Sequence, residues 1–216
     1  CAGYLSCSTR VMVDLPRGAF LLAFLLTLSA ARPQPQVDSL LQRLTLATND
    51  TARLKAHLAL YLSYERSDAV KSLHHAERYK ALATRLGEVK ASVEAENMIG
   101  SAYFSLSMYP AALAHFQRYI ALSDSAGLER RIASAWTNIA LIHEELGDYD
   151  EAIAGHHRSL EIKERFRDPK GVSHSYHNLG YVYNAMGDAD KGMEHFVRGL
   201  GIRRAMGDTS GIMSSM

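Results

Sequence analysis

The chain repeats itself at an offset of forty residues. Residues 136–148 can be written above residues 176–188 without a gap, and the apolar positions stay aligned. Weaker copies precede this pair, so we predict four repeats and the start of a fifth. Their approximate limits are 51–90, 91–130, 131–170 and 171–210, with the fifth starting at 211. Self-similarity at such a period is typical of a solenoid, in which each unit packs only on its neighbours.

Each repeat contains two segments with helical periodicity and no strand pattern. We therefore predict an all-α fold in which a helix A and a helix B pair in antiparallel fashion. Gly147 with Asp148, and Gly187 with Asp188, combine a helix-ending glycine with a capping carboxylate. Helix A is expected near 51–66, 90–107, 130–146 and 170–186, and helix B near 68–86, 110–125, 149–166 and 189–206.

The fourth repeat carries a recognisable pattern of aromatic and small residues. Tyr176, Leu179 with Gly180, and Tyr183 stand in helix A, and Phe196 stands in helix B. This pattern resembles the tetratricopeptide repeat, in a form with six residues more than the standard unit of about 34. The resemblance implies a right-handed α-solenoid of stacked antiparallel helix pairs, with helices A lining its concave surface. The second repeat departs from the pattern at Glu96, where the aromatic residue is missing.

Residues 1–31 have the order of a secretory signal peptide. Arg17 precedes an apolar run over residues 18–28, and small residues follow up to Ala31. The run is too short to cross a bilayer, so we expect cleavage after Ala31 and export to the periplasm or the outer face of the membrane. Residues 32–50 are predicted to form a linker and a short capping helix, and residues 51–216 the repeat array.

Composition excludes several classes of function. Beyond residue 31 the basic and acidic residues are equal in number, which argues against nucleic-acid binding by this region. Both cysteines, Cys1 and Cys7, lie in the predicted signal region, so a disulfide framework and a cysteine nucleophile are not expected.

No pattern in the sequence indicates catalysis, a cofactor or a metal. There is no glycine-rich phosphate loop after a strand and no nucleophile elbow, so the chain is not predicted to be an enzyme. His174 and His177 lie on one helix face but lack a third ligand nearby in the sequence. Adjacent histidines, such as His74 and His75, do not face each other on a helix.

The resemblance places binding residues on the exposed face of helices A. Asn138 and Asn178 share one repeat position, and a side-chain amide both donates to and accepts from an extended peptide backbone. The alternative is that these asparagines satisfy neighbouring helix ends. Basic residues are scarce at these positions, so the carboxylate clamp of chaperone-binding members is not expected. The candidate partner-binding residues are Asn97, Ser101, Phe104, Asn138, Leu141, Glu145, His174, Asn178, Tyr181 and Asn184.

The whole layout is similar to the exported sensor region of bacterial sensor histidine kinases and regulators that contain tetratricopeptide repeats. It implies a module that binds a protein or peptide and belongs to a longer signalling protein. A missing carboxyl-terminal part would then supply a membrane tether and an output domain such as a histidine kinase. Two alternatives stay open: a structural scaffold or homodimerisation arm without a diffusible ligand, and an intracellular regulator.

Overall fold

The computed structural model describes residues 35–208, which contain nine α-helices and no strand. The helices are α1 (Pro35–Thr45), α2 (Asp50–Tyr64), α3 (Ala69–Arg85), α4 (Val89–Ser105), α5 (Tyr109–Ser125), α6 (Glu129–Leu146), α7 (Tyr149–Arg165), α8 (Pro169–Ala185) and α9 (Ala189–Ala205). From α2 onward their bounds agree with the predicted ones to within about two residues, the usual uncertainty of a helix end. The predicted signal peptide and the start of the fifth repeat lie outside the described residues.

The helices stack in chain order. The A helices are α2, α4, α6 and α8, and each is followed by its B helix, α3, α5, α7 or α9. From α2 to α9, each helix packs mainly on the helix before it and the helix after it. This nearest-neighbour packing is the organisation of a solenoid.

Small residues let the two helices of a pair approach closely. A Cβ atom added to Gly180 would lie 2.7 Å from the ring of Phe196 and 3.0 Å from the carbonyl oxygen of Gly192. Further along the same pair, Ser173 Oγ donates to the carbonyl oxygen of Gly199 at 3.1 Å. Gly180, near the end of α8, thus lies opposite Phe196, whereas Ser173, near the start of α8, lies opposite Gly199 further along α9. The two helices are therefore antiparallel, as predicted.

Short turns connect the helices, and four of those within residues 35–208 contain a glycine with a left-handed φ angle. Gly147 and Gly187 adopt left-handed φ angles of 80° and 87°, which end their helices as predicted. Asp188 also caps α9, since its side chain accepts a hydrogen bond from the backbone N–H of Lys191 at 3.1 Å. The capping prediction is wrong for Asp148, which makes no such bond. Its carboxylate lies instead 3.4 Å from Nδ1 of His143 on the preceding helix.

The core is a series of small apolar clusters between successive helices. Phe116 and Ile142 are fully buried in one cluster, and Leu160 packs with Val172 and Leu179 in another. None of the helices within residues 35–208 is long and apolar enough to span a bilayer.

Candidate functional site

The ten candidate residues all lie on the A helices α4, α6 and α8, and none of them is buried. Four of them are exposed: Glu145, His174, Tyr181 and Asn184. The other six are half-buried: Asn97, Ser101, Phe104, Asn138, Leu141 and Asn178. We call the accessible surface of these three helices the A-helix face.

Two of the predicted asparagines contact each other across neighbouring repeats. Asn138 Nδ2 on α6 lies 3.4 Å from Asn97 Oδ1 on α4 and donates to it. Both residues stand near the middle of their helices, so this contact does not satisfy a helix end. An amide has two N–H donors and an oxygen with two lone pairs, so one such bond leaves hydrogen-bonding capacity for a ligand.

A polar cavity of about 280 Å³ opens beside Asn138. It lies where α6, the end of α7 and the start of α8 meet, and we call it the Lys163 cavity. Two predicted residues, Asn138 and His174, contribute to its lining. Its polar and charged lining includes Arg130, Thr137, Asn138, Lys163, Asp168 and His174.

Lys163 reaches this cavity from helix B. Its Nζ donates to Ser175 Oγ at 2.9 Å and to Thr137 Oγ1 at 3.3 Å, so it connects the two A helices that flank α7. Burial of the side chain lowers the pKa of Lys163, and the nearby carboxylate of Asp168 partly opposes that effect. The ammonium group is therefore a partly desolvated donor.

Two basic side chains reach the A helices from the B helices. Lys163 on α7 and Arg203 on α9 come from B helices, whose residues were not assigned to the A-helix face. Arg203 is buried, and its Nε donates to Ser173 Oγ of α8 at 2.8 Å. The two residues are one repeat apart, so the forty-residue period relates them. Only the packing shows that both reach the A helices.

A second cavity, of about 350 Å³, lies between α8 and α9 and is more apolar. The predicted residues Tyr181 and Asn184 line it. The ring of Tyr181 packs edge-on against His177 and Phe196, with ring centroids 4.7 and 5.4 Å away. The exposed side chain of Met193 extends this apolar lining.

The remaining predicted residues lie outside both cavities. Phe104 packs with Tyr109 against the cluster around Phe116, so part of its surface serves the core. Ser101 lies beside the hydroxyl of Tyr61 on α2. Asn97, Leu141, Glu145 and Asn178 line neither of the two cavities.

The histidines of α8 are held neutral at physiological pH. Partial desolvation lowers the pKa of His174, and the positive charges of Arg203, Lys163 and Lys170 lower it further. Desolvation, followed by the charge of Arg203, likewise lowers the pKa of His177. No group of three or more potential metal-ligating side chains is found within residues 35–208.

Sequence reasoning missed a buried histidine pair in the first helix pair. Nδ1 of His57 on α2 lies 3.0 Å from Nδ1 of His75 on α3, and both residues are buried. Tyr64 stacks on His75 with a centroid separation of 5.7 Å. The two histidines are 18 residues apart, a spacing that carries no sequence signal, so only the packing of α2 on α3 brings them together.

Comparison with known proteins identifies the repeat in part of the chain. Residues 131–205 match the tetratricopeptide repeat family model. These residues cover nearly all of α6 and the whole of α7 to α9, and they include the lining of both cavities apart from Arg130. A search of curated proteins finds no match to the chain.

Solved structures share the tetratricopeptide-like fold. Aspartyl phosphate phosphatase F from Bacillus subtilis superposes with a TM-score of 0.70 at 16% identity, over 77% of this chain and 44% of that one. A Rap protein complexed with competence and sporulation factor gives 0.69 at 18% identity, over 87% and 52%. The Rap conjugation gene regulator of plasmid pLS20, in complex with the Phr peptide, gives 0.67 at 17% identity, over 77% and 47%.

These likenesses concern the fold, and the chain spans only about half the length of those three proteins. The predicted fold class is confirmed: the chain forms an all-α, right-handed solenoid of stacked antiparallel helix pairs.

Proposed function

We propose that the array binds an extended peptide segment of a partner protein, or a free peptide, along its A-helix face. The observation that carries this proposal is the contact between Asn97 and Asn138, which aligns side-chain amides across two successive repeats. Asn178 occupies the position of Asn138 in the next repeat and is also accessible. Amides in three successive repeats suit a peptide backbone, whose donors and acceptors recur along its length.

Two structural neighbours support the proposal. The pLS20 regulator holds the Phr peptide, and the other Rap protein holds competence and sporulation factor. Both share this fold, which offers an extended surface for a ligand. The two cavities beside the amides would take side chains of such a peptide.

We further propose that the array is the exported sensing portion of a bacterial signalling protein, with a tether and an output domain supplied by a longer chain. The order of charged, apolar and small residues in residues 1–31 supports export. Protease added to intact spheroplasts that express the protein should digest the array. Protection of the array until the spheroplasts are lysed would favour the intracellular alternative.

The peptide proposal predicts that alanine at both Asn138 and Asn178 weakens peptide binding without changing the fold. Each substitution removes an amide that donates and accepts, and we expect binding to weaken roughly tenfold or more. The measurement uses a library of short random peptides to select binders of the unaltered protein. Calorimetry with the selected peptides then compares the variants, and circular dichroism checks helicity.

The matched control is Gln117→Ala, which removes an exposed amide from helix B α5. It should bind as the unaltered protein does. Normal peptide binding by the double asparagine variant would contradict the proposed role of the amides. A library that yields no peptide for the unaltered protein would contradict peptide binding itself.

A further inference from the structure

The ammonium group of Lys163 has only neutral hydrogen-bond partners. They are the hydroxyl groups of Ser175 and Thr137. Among residues 35–208, no carboxylate oxygen lies within 4.0 Å of its Nζ. An ammonium group has three donors, and a partly buried charge is unfavourable unless it is paired. Lys163 thus has one donor and its charge to offer to a ligand.

The acidic residues around the cavity are already engaged. Asp168 lines the cavity, but its Oδ1 accepts the backbone N–H of Gly171 at 3.0 Å and so caps α8. Glu129, at the start of α6, pairs with Arg165 of α7. Neither carboxylate forms an ion pair with Lys163, although Asp168 lies near enough to act on its pKa.

The lining of the Lys163 cavity carries an excess of positive charge. Arg130 and Lys163 each contribute one positive charge, and Asp168 contributes one negative charge. His174 lines the cavity too, and it is neutral at pH 7 for the reasons given above. One net positive charge matches a single carboxylate better than a phosphate monoester, which carries nearly two negative charges at pH 7.

We propose that the Lys163 cavity is a subsite for one carboxylate group of the bound peptide, with Lys163 as its charge partner. The carboxylate belongs either to an acidic side chain or to the carboxyl terminus of the peptide. This inference rests on the proposed function and specifies the ligand class: a peptide with a carboxylate next to the segment that lies on Asn138. The volume of about 280 Å³ suits one side chain or one chain end.

The test compares three short peptides by calorimetry on the full chain. The first is acetyl-Ala-Ala-Glu-Ala-Ala-amide, which has only a side-chain carboxylate. The second, acetyl-penta-alanine with a free carboxyl terminus, has only a terminal one. The third, acetyl-Ala-Ala-Gln-Ala-Ala-amide, has neither. At least one of the first two should bind roughly tenfold more tightly than the third, because a charge-assisted hydrogen bond adds about that much affinity.

Three variants assign this preference to the cavity. Lys163→Gln should remove the preference, and Lys163→Arg should retain it, since arginine stands at the equivalent position 203. Lys90→Gln removes an exposed lysine on α4 and should leave the preference unchanged. Circular dichroism establishes that each variant is folded. Equal binding of all three peptides to the unaltered protein, or a preference that survives in Lys163→Gln, would overturn the subsite.

Acetate separates failure of the subsite from failure of the peptide groove. In ¹³C NMR of the lysine side chains, acetate should raise the pH at which Lys163 titrates, because a bound negative charge favours the ammonium form. The signal is assigned by its absence in Lys163→Gln. If acetate acts in this way while no peptide binds, the subsite stands and the proposed peptide groove fails. If peptides bind without a preference for carboxylate and acetate leaves Lys163 unchanged, the groove stands and the subsite fails.

Discussion

Glu96 illustrates how one residue can depart from a repeat pattern and still be accommodated. It stands where the third and fourth repeats have an aromatic residue, and only 3% of it is exposed. Lys80 Nζ lies 2.5 Å from one carboxylate oxygen, and His115 Nδ1 lies 2.7 Å from the other. Burial favours the protonated acid, but the bonds from Lys80 and His115 outweigh it, and the net pKa of Glu96 is lowered.

Replacing Lys80 with methionine should destabilise the protein. The change leaves the buried carboxylate of Glu96 without its cation, and we expect a loss of about 1–3 kcal/mol because Lys80 is itself partly exposed. Urea denaturation at pH 7 measures the effect. The double variant with Glu96→Leu should recover most of it, since an apolar side chain suits the buried position.

The control for this cycle is Lys71→Met. Lys71 pairs with Asp68 at 2.9 Å on the exposed surface, so its loss should hardly change the unfolding midpoint. A similar loss from both lysine variants would show that burial of Glu96 is not the cause.

Among the elements, the turns are the most regular feature of the array. Gly87, Gly127, Gly147, Gly187 and Gly207 all adopt left-handed φ angles. Two turns have other residues in this conformation, Ser107 with φ 57° and Arg167 with φ 52°. A side chain makes this conformation unfavourable by about 1–2 kcal/mol, so these two turns carry strain that the glycine turns avoid.

Substituting glycine for Arg167 should stabilise the protein by roughly 0.5–1 kcal/mol. The free energy gained by relieving the strained backbone exceeds the free-energy cost of the extra conformational entropy that glycine gives to the unfolded chain. Thermal unfolding followed by circular dichroism provides the measurement. The reciprocal variant Gly127→Arg, at the same position one repeat earlier, should lower the melting temperature. A lower melting temperature for Arg167→Gly, or a higher one for Gly127→Arg, would show that the turn conformation is not what limits stability there.

In the molecule as a whole, several desolvated histidines share one pH response. Desolvation is the largest cause of a lowered pKa in His57, His75, His174, His177 and His195, and it brings His75 to about 4. In the pair of His57 and His75, one Nδ1 must donate and the other must accept, so double protonation would break their bond.

Acidification should therefore destabilise the array. In the unfolded chain these histidines take up protons near pH 6.5, whereas in the folded protein they do so only at lower pH. Their contribution to stability is therefore complete above about pH 6.5 and is lost as the pH falls towards 4. We expect a loss of about 2 kcal/mol between pH 7 and pH 4.5, measured by urea denaturation at a series of pH values. Carboxylates whose pKa is lowered, such as that of Glu96, become protonated mostly below this pH range and so contribute little to the expected loss.

The variant His75→Gln removes the histidine with the largest shift, so its stability should depend less on pH in this range. A stability that stays constant from pH 7 to pH 4.5 would contradict a role for the histidines.

Much of the fold was predictable because it is local and repeated. Apolar periodicity, helix-ending glycines and small residues such as Gly180 act within one helix pair or between neighbours, and a forty-residue offset displays them several times. The same regularity placed Asn138 and His174 on α6 and α8, beside what the structure shows to be a cavity. The failed cap at Asp148 shows the limit, since its carboxylate turns towards His143.

Contacts between helices depend on how each helix is rotated about its axis, and a residue pattern does not specify that rotation. Only the packed chain shows that Lys163 reaches between two A helices, that Lys80 and His115 meet at Glu96, and that His57 lies against His75. The sequence determines that helix pairs form and stack, because backbone geometry and apolar spacing suffice for that. The charges and hydrogen bonds at the A-helix face are decided by side chains from different helices, which come together only when the stack has formed.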